Sequence, residues 1–174
     1  VMSREYTLIF VFTEDMEHVL LLKRNKEPYK NLWNGVGGKL EVGEPPERAA
    51  YRELEEETGL KHNYLSIPLQ PIVTEYFHYS DITLYAFYTK LGNWVVPTEL
   101  AKPVAEGCLR WHCMDRDMHN VNNLTLAGEG NLPYFMWYAQ ILEHHRKLEV
   151  KSNANNEKRV DTQRYTGTCF GNCI

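Results

Sequence analysis

Apolar residues along this chain come in short runs whose period changes from two to about four and back. Tyr6–Phe12 and His18–Lys23 are rich in β-branched and aromatic residues, with polar Thr13-Glu14-Asp15 between them, which predicts a hairpin. The stretch Asn25–Leu32 (N-K-E-P-Y-K-N-L) reads as a loop leading to a strand and a cluster of glycines. From about Pro46 to Thr58 the pattern turns helical, with Ala49, Ala50 and Leu54 forming the stripe that docks on a core. Ile72–His78 and Ile82–Tyr88 flank Tyr79-Ser80-Asp81 as a second hairpin, and Leu109–Cys113 reads as one more strand. Phe135, Tyr138, Ala139 and Leu142 recur at helical spacing, so a closing helix is expected over Pro133–Leu148. Strands from both halves around helices imply an α/β or α+β fold with a mixed sheet.

Past Lys151 the periodicity is lost. The tail 151–174 is rich in Asn, Thr, Lys and Arg, and is expected to be mobile or to order only against a partner or the domain surface. The organisation read from the sequence is therefore one domain over residues 1–150 and an appended tail.

Composition narrows the classes. A chain of 174 residues suits one domain with a sizeable core, and 43% hydrophobic with 24% charged residues is ordinary for a globular protein. A net charge of −4 gives no general attraction to nucleic acid polymers or anionic membranes, so neither is an expected partner. No apolar stretch approaches the ~20 residues of a membrane span, and the run Tyr6–Phe12, broken by Thr7 and followed by Glu14-Asp15, does not read as a leader. Cys108 and Cys113 lie in an apolar stretch and are expected to be small core residues. Cys169 and Cys173 sit in the polar tail without a second Cys/His pair, so they read as stray thiols. This cysteine usage fits a reducing cytoplasm.

The chemistry is concentrated between Gly38 and Leu60. Six glutamates, Glu44, Glu47, Glu53, Glu55, Glu56 and Glu57, fall within fourteen residues. On a helix Glu53, Glu56 and Glu57 stand at i, i+3 and i+4, on one face, where like charges repel. A hard divalent cation reverses that balance, because carboxylate oxygens and substrate phosphates are its ligands. The helix is framed by Gly37-Gly38 and Gly43 before it, Pro45-Pro46 at its start and Gly59 at its end. Arg52 is placed to hold a carboxylate by a charge-assisted fork, and Glu44 reads as an orienting or capping acid at the helix N-terminus. A solvated acidic face needs none of this framing.

The spacing Gly38-x5-Glu44-x7-Arg52-Glu53-Leu54-x-Glu56-Glu57-x-Gly59-Leu60 resembles the Nudix hydrolase signature at every defined position. The resemblance extends from about Tyr6 to Val150. It implies the Nudix fold, a mixed sheet between helices, and a pyrophosphohydrolase that uses Mg²⁺, or Mn²⁺ on the same ligands. Glu53, Glu56 and Glu57 would hold metal together with the backbone carbonyl of Gly37, and Glu53 and Glu56 would share in catalysis, with Arg52 orienting them. Gly38 and Lys39 would border the phosphates. For a catalytic base outside the helix the candidate is Glu106, in E-G-C-L-R-W, with Glu99 in P-T-E-L as the competing acid.

The run Trp33-Asn34-Gly35-Val36-Gly37-Gly38-Lys39 looks like that of the 8-oxo-dGTP diphosphatases, a MutT-like branch concerned with nucleotide-pool sanitation. Asn34 would there contact a purine base. Where that branch carries Trp-Pro-Asp-Asp, this chain reads Thr125-Leu126-Ala127-Gly128-Glu129-Gly130, and Glu129, Phe135 or Tyr76 are the candidates to stand in. The leading expectation is a nucleoside triphosphate cleaved to monophosphate and pyrophosphate. A nucleoside diphosphate linked to another group, such as ADP-ribose, is the alternative. A non-enzymatic nucleotide-binding module is a second.

Overall fold

A computed structural model of the chain describes residues 4–165, and the side chains of residues 4–155. Strands β1 (Arg4–Phe12) and β2 (His18–Arg24) are followed by a short β3 (Trp33–Asn34) and helix α1 (Pro46–Thr58). Strands β4 (Gln70–Phe77), β5 (Ile82–Lys90), β6 (Pro103–Val104) and β7 (Gly107–Cys113) come next, and helix α2 (Asn131–Tyr165) closes the described chain. One sheet runs in the order β4-β5-β1-β2-β7-β6, with β3 paired to β2. It is mixed: β1 runs parallel to β5, and the other strand pairs are antiparallel.

β1 is buried along most of its length on both faces, as expected of a central strand with a parallel neighbour. Its alternation divides the core. Ile9 and Val11 pack with Leu20, Leu22, Val36, Ala50 and Leu54 on the α1 side. Leu8 points the other way, toward Leu132 and Phe135 of the first turns of α2, with which it lines one groove. The sheet thus lies between helices, as the sequence implied.

β1 and β2 pair only at Val11↔Leu20 and Phe12↔Val19, then part. The segment after β3 fills the gap. Ile9 and Val36 exchange backbone hydrogen bonds of 2.7 and 3.1 Å, and the Thr7 N–H donates to the Gly38 carbonyl at 2.8 Å. The glycine-rich run is therefore held inside the sheet, directly before α1.

The compact first unit of the chain runs to Ala139, and a second begins at Gln140. The closing helix is longer than its apolar spacing predicts: it continues past Leu148 and through the first half of the expected tail to Tyr165. Glutamate and lysine, as at Glu143 and Lys147, sustain a helix by propensity without an apolar stripe. Cys169 and Cys173 lie outside the described residues. Cys108 and Cys113 are not core residues: the first is half-buried, the second exposed, and both are free thiols. β7 gives its core side to Leu109, with Trp111 packed against the same cluster, while Cys108 faces the other way and Cys113 ends the strand. Among the described residues no helix is long and apolar enough to cross a membrane.

Candidate active site

Helix α1 begins at Pro46 behind Pro45, which carries no side-chain cap, and stops at Gly59. Gly59 adopts the left-handed conformation (φ 79°), and its N–H donates to the Glu55 carbonyl at 2.8 Å. That conformation favours glycine over any residue with a Cβ. Ala49, Ala50, Leu54 and Thr58 are buried, which fixes the rotation of the helix. Glu53 and Glu57 are left half-buried and Glu56 exposed. Glu55 turns outward to Lys61, 3.5 Å away.

Arg52 organises the acids. Its Nε and Nη2 donate to the two oxygens of Glu44, at 3.0 and 2.8 Å, in the fork its shape allows. Nη1 reaches Glu53 Oε1 at 2.7 Å and Glu56 Oε2 at 3.4 Å, and Nη2 also donates to the Lys39 carbonyl at 3.1 Å. Glu44 is thus an orienting acid, and no cap for the helix. The Arg52 hydrogen bonds, aided by the Glu41 N–H, hold its carboxyl down to about 2.

Glu57 has no such cation. Its Oε2 accepts the Gly37 N–H at 2.7 Å. Burial, with the nearby Glu53 and Glu106 charges, pushes its carboxyl up to about 7 in spite of that hydrogen bond. Burial also raises Glu53, against the pull of Arg52. Carboxylates raised in this way by burial and by neighbouring charge mark a candidate functional site. Among the described residues, however, no three acidic, His or Cys side chains already stand close enough together to hold an ion. Arg52 and the Gly37 amide occupy their oxygens instead. The carboxylate oxygens are the hard donors that a divalent cation takes, so the residues present fit such an ion chemically.

The neighbouring glycines make room for this. Val36 and Gly38 spend their carbonyls on β1, while Gly37 between them turns its N–H to Glu57. Gly37, Gly38, Lys39, Glu53, Glu56, Glu57 and Glu106 line one cleft of about 360 Å³, together with Val104 and Ala105. Glu53, Glu56, Glu57 and Glu106 therefore share one cleft. Glu99 lies exposed in a short turn and does not line the cleft. Lys39 borders the cleft with its side chain exposed.

Gly37 and Gly38 also line a larger groove of about 800 Å³ beside the cleft. Leu8, Leu84, Leu132 and Phe135 are among its apolar lining, and Asn34, Glu129, Arg4 and Arg24 among its polar lining. Asn34 Oδ1 accepts the Gly35 N–H at 2.9 Å, which leaves its amide NH₂ as the group to offer. Glu129 sits in a left-handed conformation (φ 50°, ψ 40°) on the same groove. Its loop is brought there by β3, since Trp33 pairs with Thr125 and Ala127. Of the three stand-ins, Glu129 and Phe135 reach the groove. Tyr76 does not line it: its hydroxyl donates to Asp81 at 3.0 Å. Arg4, Arg24 and Lys26 were not singled out in the sequence, where their only signal is positive charge in a loop and at a strand end.

The NUDIX domain model matches residues 2–120. The chain is 30% identical over 132 residues to "Uncharacterized Nudix hydrolase YvcI" of Bacillus subtilis, covering 74% of this chain and 77% of that one. Over a shorter span of 58 residues, 33% of this chain and 36% of the relative, it is 45% identical to the "Oxidized purine nucleoside triphosphate hydrolase" of Mus musculus. A mutT/nudix family protein from Listeria innocua superposes with a TM-score of 0.59 at 24% identity, covering 85% of this chain and 98% of that structure. A chain with this fold, this cleft and these relatives belongs to the Nudix hydrolase family and is a pyrophosphohydrolase.

Proposed function

We propose that this enzyme hydrolyses the phosphoanhydride of a purine nucleoside triphosphate, releasing monophosphate and pyrophosphate. The observation that carries the reading is that Gly37 and Gly38 border two spaces at once: a cleft lined by Glu53, Glu56, Glu57 and Glu106, and a groove with an apolar wall and Asn34. Glu53, Glu56 and Glu57, with the Gly37 carbonyl, would hold Mg²⁺ or Mn²⁺. Such an ion, when bound, neutralises phosphate charge and makes a water nucleophilic.

The chain's own residues supply the rest. Arg52, anchored on Glu44, sets the direction of Glu53 and Glu56. Glu106 faces the cleft from the opposite loop and takes the proton of the attacking water as the new P–O bond forms and the pyrophosphate leaves. Lys39 offers an ammonium to the phosphates. The Asn34 amide donates to an acceptor on the base edge, and Glu129 accepts from a donor on it. Asn34 in the groove and the 45% identity to an oxidised-purine hydrolase support a purine, with 8-oxo-dGTP among the substrates to test. The free thiols Cys108 and Cys113 suit the cytoplasm, where such nucleotides occur.

The groove's volume and two arginines also favour a second reading, a nucleoside diphosphate carrying another group, such as ADP-ribose. A panel of oxidised and normal triphosphates and ADP-ribose separates the two. Chelation is expected to abolish turnover, and Glu56→Gln to lower kcat by roughly two orders of magnitude or more while the protein stays folded. Undiminished turnover by that variant would sink the assignment of the metal cage.

A further inference from the structure

Glu106 does not stand free in the cleft. Lys26 Nζ lies 3.3 Å from its Oε1, and Arg24 Nη1 lies 3.9 Å from its Oε2. Arg24 ends β2 and Lys26 lies in the loop after it, some eighty residues earlier in the chain, and the backbone holds the two segments together. The Asn25 N–H donates to the Glu106 carbonyl at 3.0 Å, and Asn25 Nδ2 to the Ala105 carbonyl at 3.1 Å. β2 and β7 pair through Lys23↔Cys108 and Arg24↔Gly107. Gly107 makes this approach feasible, because a Cβ there would lie 1.8 Å from the Lys23 carbonyl oxygen. Lys26 and Glu106 therefore meet where paired backbone joins the two segments, and the Lys26 ammonium sits on a carboxylate that lines the cleft.

The pair is cheap to break. Lys26 is 63% exposed and Glu106 37%, and ion pairs this open are weak. A polyphosphate entering the cleft carries several negative charges and strong acceptor oxygens, so it competes well for both cations. Arg24 already lines the neighbouring groove, so its guanidinium has space on the substrate side.

We propose that Lys26, with Arg24, is a polyphosphate-binding residue that restrains Glu106 until substrate arrives. The substrate's phosphates draw Lys26 off Glu106, and the carboxylate is released to the cleft only when there is a phosphoanhydride to cleave. This inference rests on the reading of the cleft as a nucleotide polyphosphate site.

The test is binding without turnover, using the α,β-methylene analogue of a purine nucleoside triphosphate with Mg²⁺, followed by calorimetry. Lys26→Met is expected to weaken the analogue about tenfold, and Lys26→Arg to stay within about twofold of the unaltered protein. Lys30→Met controls for net charge: Lys30 is on the same loop, but the ion pair with Glu106 is made by Lys26, and removal of Lys30 should change affinity less than about twofold. A double-mutant cycle then reads the exchange. Glu106→Gln should favour binding about threefold more with Lys26 present than in the Lys26→Met protein. Any part Glu106 plays in holding metal is common to both arms and cancels. Equal losses in Lys26→Met and Lys30→Met would overturn the phosphate contact. A cycle without coupling would mean that the Lys26–Glu106 pair survives binding, and the release would be wrong. Failure of the unaltered protein to bind the analogue would overturn the polyphosphate reading itself, a result distinct from binding that ignores Lys26.

Discussion

A methyl group on Gly38 would come within 2.5 Å of the Glu53 carboxyl carbon, and one on Gly37 within 2.3 Å of the Thr7 carbonyl oxygen. The two clashes have different consequences. Glu53 is the end of a flexible side chain and can turn aside, whereas the Thr7 carbonyl belongs to β1 and cannot. Gly37 also holds a φ of 141°, which a residue with a Cβ rarely adopts. Gly38→Ala is therefore expected to keep a melting temperature close to that of the unaltered protein while lowering kcat about tenfold or more, because Glu53 leaves its place. Gly37→Ala should lose about 1–3 kcal/mol of stability from backbone strain alone. Thermal melts beside kinetics check the pair; similar stability losses in both variants would show that Gly38 is a folding residue and no part of the site.

At the level of elements, α1 separates what builds the helix from what aims its acids. The left-handed Gly59 ends it, and Ala50 and Leu54 seat it against Ile9, Val11 and Val36. Gly59→Ala should cost about 1 kcal/mol of stability and leave kcat unchanged, since it touches no acid of the cleft. Arg52→Lys should do the opposite. A lysine ammonium cannot fork both oxygens of Glu44 while also reaching Glu53, so stability is kept and kcat falls about tenfold. Urea melts together with initial rates distinguish these outcomes, and a kcat loss in Gly59→Ala would mean that the helix end also shapes the cleft.

For the whole molecule, the proposed metal cage would link metal and stability. A folded state that gathers carboxylates and an unfolded state that scatters them differ in affinity for a divalent ion, so the ion should raise the melting temperature. At a hundredfold excess over its dissociation constant the gain is about 2.7 kcal/mol. Glu57→Gln should invert the pattern. Without metal it is expected to melt higher than the unaltered protein, because a buried carboxylate repelled by Glu53 and Glu106 is replaced by an amide that can still accept the Gly37 N–H. With Mg²⁺ it should gain almost nothing. Calorimetric scans with and without Mg²⁺ read both effects, and an unchanged Mg²⁺ gain in the variant would remove Glu57 from the cage.

The helix of the acids was legible residue by residue, from Pro46 to Thr58, because proline, glycine and a 3.6-residue apolar stripe are local signals that need no partner. The two hairpins were legible for the same kind of reason, and so was the set Glu53, Glu56 and Glu57, whose shared face follows from helical spacing alone. What lay beyond the sequence was every relation between distant segments. The glycine run wedges between β1 and β2, and Lys26 meets Glu106 across eighty residues. Asn34 shares a groove with Glu129 only because β3 pairs with the loop around Leu126. The resemblance of E-G-C-L-R-W already favoured Glu106 over Glu99, but its meeting with the other acids of the cleft is of this kind too. Glu106 lies between β6 and β7, and the pairing of β7 with β2 carries it to the carboxylates of α1. Local periodicity determined which residues could act, and the register of the sheet decided which of them meet.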